Sequence, residues 1–327
     1  MKVWQVTRLG EPADVLSLQE VEAPAPGPGE IRVRVRATAA NFPDVLMIRG
    51  QYQVQPPLPF VPGVEICGDV VAIGEGLTHL EVGQRVAGMA SMPHGGFAEE
   101  ALLQGLFAMP VPEKVSDEHA ASLTIAYQTG WFGLHRRAHL QEGEWLLVHA
   151  AAGGVGSAAV QLGKAAGARV IGVVGGPDKV EVARRLGCDE VVDRRSEDVI
   201  ARVKEITGGK GVDVVYDPVG GEAYQQSTKC VAFEGRIVVV GFASGEIPSP
   251  SLNHALVKNY SILGLHWGLY ASKDPMSLLE CHQELVRMLE AGTIEPLVSE
   301  TVPLEDLPDA LTRLGAGETT GRVVLVP

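Results

Sequence analysis

The stretch Trp145-Leu146-Leu147-Val148-His149-Ala150-Ala151-Ala152-Gly153-Gly154-Val155-Gly156 decides the fold. A short apolar run is followed by glycines and then by a helical pattern through Ala166, so strand, tight turn and helix follow in that order. Arg169-Val170-Ile171-Gly172-Val173-Val174 is a second buried strand, at the spacing of about 20 residues that a βαβ unit requires. The turn between them is a dinucleotide fingerprint in which Ala151 holds the first glycine position. The glycines answer a physical demand. A pyrophosphate must approach backbone N–H groups at a helix N-terminus, where side chains would block it.

Downstream of this unit the same texture continues. Helices are expected over 179–186, ended by Gly187, and over 198–207, with strands at 190–192, 212–217, 236–241 and 260–264. Continuous Val/Ile strands alternating with helices mean a parallel sheet covered on both faces. A helix over 275–291 and a strand over 322–326 close the chain. Upstream the pattern changes. Ile31-Arg32-Val33-Arg34-Val35-Arg36-Ala37 alternates at period two, 64–73 and 84–88 continue it, and two proline-rich connections intervene. The first hundred or so residues therefore read as all-β and loop-rich.

The chain has 327 residues, a formal net charge of −13, 46% hydrophobic and 20% charged residues. This is an ordinary globular composition, long enough for about two domains. An acidic chain with no Lys/Arg cluster lacks the phosphate-neutralising surface that nucleic-acid binding needs. Cys67, Cys188, Cys230 and Cys281 lie tens of residues apart with no CxxC pair, so their spacing gives neither a zinc knuckle nor a disulfide framework. The uncharged stretch from Trp145 to Gly163 is broken by glycines, Ser157 and Gln161, and no membrane span is expected. The first residues are charged and alternating, with no apolar region of the signal-peptide kind behind them. A soluble, cytoplasmic protein is expected.

The choice of dinucleotide is read at the end of the second strand. A site for NAD places a carboxylate there, whereas this chain has Val173, Val174, Gly175 and Gly176, with Lys179 and Arg194 nearby. A small uncharged pocket flanked by cations accepts a 2′-phosphate, so NADPH is favoured. Asp178 is the contrary residue, and it is also placed to cap the helix that follows.

These segments, in this order, resemble the zinc-free quinone oxidoreductases (the zeta-crystallin-like family) of the medium-chain dehydrogenase/reductase superfamily. The resemblance rests on Asn41-Phe42-Pro43-Asp44, Leu58-Pro59-Phe60-Val61-Pro62-Gly63-Val64-Glu65, Gly95-Gly96-Phe97-Ala98-Glu99, His149 to Gly156, Asp217-Pro218-Val219-Gly220-Gly221 and Thr320-Gly321-Arg322-Val323-Val324-Leu325. It implies an α/β fold: a GroES-like β-rich catalytic domain at 1–124, completed by 266–327, and a doubly wound Rossmann domain at 125–265. It also implies a homodimer or tetramer, the homodimer favoured, joined along an edge strand at Tyr260 to Leu265. The cofactor set implied is Asn41, Thr129, Gly153, Gly154, Val155, Gly156, Gly175, Lys179, Arg194, Gly241, Phe242, Ala243 and Arg322.

The zinc-dependent branch carries a Cys in the segment that here reads Ala39-Ala40-Asn41, and a Gly-His-Glu where this chain has Gly63-Val64-Glu65. With those ligands and the four-cysteine lobe missing, no metal is expected. The resemblance places Asn41 and Asp44 near the nicotinamide and matches Tyr52, in Gly50-Gln51-Tyr52, to a cleft tyrosine; these three are the candidate catalytic residues. Many relatives have a second tyrosine where this chain has Leu46. The expected activity is hydride transfer from NADPH to a quinone or related α,β-unsaturated carbonyl. Enoyl-thioester reductases of the same superfamily carry a similar tyrosine as proton donor, so Tyr52 supports that alternative too. A non-catalytic, NADPH-binding structural protein of the crystallin kind is the third reading. His94, His149 and His266 are expected to be packed or hydrogen-bonded and receive no catalytic role.

Overall fold

A computed structural model describes all 327 residues. The chain divides into two compact units, Met1–Thr124 with Pro296–Pro327, and Ile125–Glu295. The first unit opens with a two-stranded ribbon, β1 (Lys2–Val6) and β2 (Leu16–Glu20), joined by α1 (Pro12–Val15). There follow β3 (Glu30–Ala39), α2 (Phe42–Arg49), β4 (Glu65–Ile73), β5 (Arg85–Met89), β6 (Glu100–Gln104), β7 (Met109–Pro110) and α3 (Asp117–Ala120). The second unit contains α4 (Thr124–Trp131, its first residue in the other unit), β8 (Trp145–His149), α5 (Gly154–Ala165), β9 (Arg169–Val174), α6 (Pro177–Arg185) and β10 (Glu190–Asp193). It continues through α7 (Val199–Ile206), β11 (Val212–Asp217), α8 (Gly221–Cys230), β12 (Val231–Val239), α9 (Leu252–Lys258), β13 (Ser261–Gly264), α10 (Tyr270–Lys273) and α11 (Pro275–Glu290). The chain then returns to the first unit with β14 (Val298–Pro303), α12 (Leu307–Gly315) and β15 (Arg322–Val326).

The second unit is a six-stranded parallel sheet in the order β10-β9-β8-β11-β12-β13. This is the doubly wound order, with its switch point between β8 and β11. Leu147, Ile171, Val215 and Ile237 are fully or almost fully buried in the sheet, and Val203 of α7 and Tyr224 of α8 pack with them. Continuous apolar strands are what a sheet covered on both faces requires. Strand β12 begins five residues before the expected Arg236, because it runs through Glu234 at φ +56 and a shift in its register against β11.

The first unit contains a seven-stranded sheet, six of its strands in the order β14-β15-β3-β4-β5-β7 and the seventh, β6, paired to β3 off that path. It is not all-β as expected. Residues 42–49 form α2, for a local reason. Asn41 is its N-cap, the Asp44 carboxylate three residues on accepts the Asn41 N–H, Pro43 lies in the first turn, and Gly50 closes the helix at φ +71. Such an N-terminal box contributes about 1 kcal/mol, and the left-handed closing residue suits glycine.

The expected division at residue 266 is also corrected. Residues 266–295 belong to the second unit. Trp267 Nε1 donates to Gln128 Oε1 at 3.2 Å, and the Tyr270 ring lies 4.4 Å from that of Phe132. Arg136 pairs with Asp274 at 2.7 Å, and Gln161 exchanges two 2.7 Å hydrogen bonds with the Glu295 backbone. Tertiary contacts, invisible in a linear reading, place this helical segment.

Candidate active site and cofactor crevice

In the second unit the candidate residues gather at the carboxyl ends of the parallel strands. The fingerprint loop joins β8 to α5. Gly156 is buried there, and a Cβ on it would come within 2.1 Å of the Ala150 carbonyl oxygen. The helix start can therefore press on the strand end only if this residue is glycine. Ala150 itself takes φ +51. Ala151 replaces the first glycine without obstruction, because its methyl faces Gly172 of β9, where a Cβ would come within 3.0 Å of it. The glycine of this contact lies on β9. Gly153 is the N-cap of α5, in extended conformation, followed by Gly154 and Val155, so open helix N–H groups face the crevice.

At the end of β9 the Arg194 guanidinium lies across Gly175, its Nη2, Cζ and Nε within 3.2–3.3 Å of where a Cβ would be. Arg195 Nη1 lies 3.1 Å from the equivalent point on Gly176. Lys179 is half-buried in the first turn of α6, where Asp178 provides no side-chain cap. The loops after β11 and β12 are tied together, with Ala243 N–H donating to the Pro218 carbonyl at 3.1 Å. Gly241, the 37% exposed Phe242 and Ala243 lie on the second of these loops. Thr129 is buried on α4.

His149 is buried at the end of β8, with Nε2 2.9 Å from Ser227 Oγ. Burial lowers its pKa, with the Asp217 charge opposing, so it is a neutral structural histidine at pH 7. His94 and His266 are exposed rather than packed. Asp217, which the sequence reading left without a role, accepts the Val219 and Gly220 N–H groups through Oδ1 at 2.9 and 3.0 Å. It shapes the turn into α8.

In the first unit Asn41, Asp44, Glu65 and Arg322 form one buried polar group. Asn41 Nδ2 donates to the Ala39 carbonyl at 3.0 Å and to Glu65 Oε2 at 3.2 Å. Glu65 Oε2 also accepts from Arg322 Nη2 at 2.7 Å. Both Asp44 oxygens are taken by backbone, Oδ2 by Asn41 N–H at 2.9 Å and Oδ1 by Gly63 N–H at 3.0 Å. Burial pushes the Asp44 carboxyl up to about 7, against the opposing pull of those amides and of Arg322. Asp44 is thus a brace between α2 and the loop at Gly63. The Tyr52 ring packs on the core around Ile48 and Phe60. Burial, and then the Asp44 charge, raises its phenol above the ordinary value, so it stays an O–H donor through neutral pH. Arg322, expected at the cofactor, is 4% exposed and committed to Glu65. Glu65 was the residue missed, although an acid opening an apolar strand was a signal for it.

Residues 27–113 match the alcohol dehydrogenase GroES-like domain, and residues 154–283 match the family described as zinc-binding dehydrogenase. The chain is 39% identical over 287 residues to the quinone oxidoreductase-like protein 2 homolog of Nematostella vectensis, covering 87% of this chain and 78% of that one. This chain belongs to the quinone oxidoreductase family of the medium-chain dehydrogenase/reductases. A solved Escherichia coli quinone oxidoreductase complexed with NADPH is similar over the full length of both chains, with a TM-score of 0.93 and 32% identity. A 2-haloacrylate reductase is similar over 100% of this chain and 99% of that one, with a TM-score of 0.84 and 33% identity. The residues of this family member do not fit the zinc of the second family's description, since no three His, Cys, Asp or Glu side chains converge. No helix is long and apolar enough to cross a membrane.

Proposed function

We propose that this chain is an NADPH-dependent, zinc-independent reductase of quinones or related α,β-unsaturated carbonyls. The observation that carries the reading is the crevice at Gly175 and Gly176, where two guanidinium groups lie over glycines at the end of β9. Bound NADPH supplies the hydride. The N–H groups at the start of α5 suit its pyrophosphate, Arg194 and Lys179 its 2′-phosphate, and Thr129 and the loop at Gly241, Phe242 and Ala243 the remainder. In the first unit Tyr52 offers a phenol to the substrate, with the buried Asn41 and Asp44 bracing the segment before it. Arg322 contributes by holding Asn41 through Glu65.

Fluorescence titration tests the cofactor. NADPH is expected to bind at least about tenfold more tightly than NADH, or 1.4 kcal/mol. Lys179→Ala should narrow that gap, and Gly175→Asp, which sets a carboxylate against Arg194, should reverse it. Equal dissociation constants in the wild type would sink the reading. Turnover of 1,4-benzoquinone should survive exhaustive chelation.

A second reading is a reductase of α,β-unsaturated acyl compounds, favoured by the similarity to the 2-haloacrylate reductase and by the protonated phenol of Tyr52. Under either reading we propose a homodimer joined along β13. That strand is an open edge of the sheet, beside an α9 with no buried residue, on which Leu252, Leu256 and Val257 are 73–77% exposed. Unpaired edges and apolar faces of this kind are normally covered. A monomer mass in sedimentation equilibrium would remove that proposal.

A further inference from the structure

Asp193 ends β10, one residue before the two arginines of the crevice. Its carboxylate does not face outward as a free charge. Oδ1 accepts the Gly176 N–H at 2.8 Å and the Arg195 N–H at 3.0 Å. One oxygen therefore joins the turn after β9 to the turn after β10. These hydrogen bonds hold the carboxyl below its ordinary pKa, so the charged form persists at neutral pH. Glu197, the next acid along the chain, is also engaged: its Oε1 accepts the Asp193 N–H at 2.9 Å, and Oε2 lies 3.9 Å from Arg202. Neither Arg194 nor Arg195 enters an ion pair, and both are exposed. Both guanidinium groups stand over glycines outside ion-pair distance, and the Asp193 carboxylate, which feels the Arg195 charge through space, is turned onto backbone.

We propose that Asp193 is a positioning residue for NADPH selectivity: by clamping the Gly176 and Arg195 amides it sets Arg195 beside Arg194 as the second guanidinium for the 2′-phosphate. The inference rests on the NADPH reading above and adds two residues to it. Two guanidinium forks converging on one phosphate give charge-assisted hydrogen bonds that a ribose hydroxyl does not. Without the clamp both turns lose their shared acceptor, and Arg195 is no longer held over Gly176.

The clamp acts opposite in sign to simple electrostatics. A nearby negative charge should repel a phosphate, so its removal alone would tighten binding. The clamp predicts that Asp193→Ala weakens 2′,5′-ADP and NADPH by about tenfold, while NADH stays within about threefold of wild type. Asp193→Asn should retain wild-type affinity or exceed it, because an amide oxygen still accepts both N–H groups. Arg195→Ala should weaken 2′,5′-ADP by about tenfold without affecting NADH. Isothermal titration of the full-length chain reads all of these without turnover. The NADH arm, with thermal melts, checks that each variant is folded, and Arg195→Ala decides the matter should Asp193→Ala fail to fold. Asp193→Ala binding NADPH as tightly as wild type, or Arg195→Ala leaving 2′,5′-ADP unchanged, overturns the proposal. A wild type with no preference for NADPH would instead overturn the cofactor reading on which it rests.

Discussion

Arg322 Nη2 donates to Glu65 Oε2 at 2.7 Å, with Glu65 fully buried and Arg322 4% exposed. This ion pair joins β15, at the end of the chain, to β4, and through Glu65 it reaches the Asn41 amide at the start of α2. Removing one partner leaves the other charge buried and uncompensated, which costs about 3–5 kcal/mol. Glu65→Ala and Arg322→Met should each destabilise the protein by that order in urea unfolding. The double variant should recover part of the loss, since no bare charge remains. Single variants within about 1 kcal/mol of wild type would refute the coupling.

Tyr52 separates the two substrate classes. With a quinone the ring packs beside the acceptor, and Tyr52→Phe should keep kcat within a few-fold. With an enoyl thioester the phenol donates as the enolate develops, and its loss should cost about 10²-fold in kcat. Both are read with 1,4-benzoquinone and crotonyl-CoA at saturating NADPH. A large loss with benzoquinone would favour the acyl reading.

His282 on α11 gives a pH signature. Its Nδ1 is buried without a hydrogen-bond partner, and burial lowers the pKa from 6.5 to about 4. The folded value lies below the unfolded one, so the unfolded chain takes up the proton first. Stability that is complete above pH 6.5 is lost as the pH falls toward 4, by about 3 kcal/mol at the lower end. His282→Leu should be close to wild type at pH 7 and distinctly more stable near pH 4.5. Parallel stability–pH curves for the two proteins would show that the imidazole is not responsible.

The Rossmann unit was legible because its signals are local. Val/Ile runs, the glycine turn at 153–156 and Gly187 after α6 each act within a few residues; β9 and β11 begin and end where the sequence placed them, and β8 stops one residue before Ala150. The helix 42–49 was equally local but was read otherwise. Asn41 and Asp44, three apart, form a capping box, and the same two residues were drawn into the catalytic reading by family resemblance. One spacing served two meanings, and only coordinates show the Asp44 oxygens spent on backbone.

Sequence alone determined the alternation of strand and helix, the glycine turn after β8 and the missing acid after β9, because these depend on backbone period and on the absence of a side chain. Tertiary structure decided which charges meet. Arg322 finds Glu65 across 257 residues of chain, Asp193 turns inward onto Gly176, and Arg195 comes to lie over the same glycine. It also decided that 266–295 pack with the second unit. Ion pairs and clamps depend on distances of about 3 Å between side chains, and such distances exist only once the sheets have brought remote segments together.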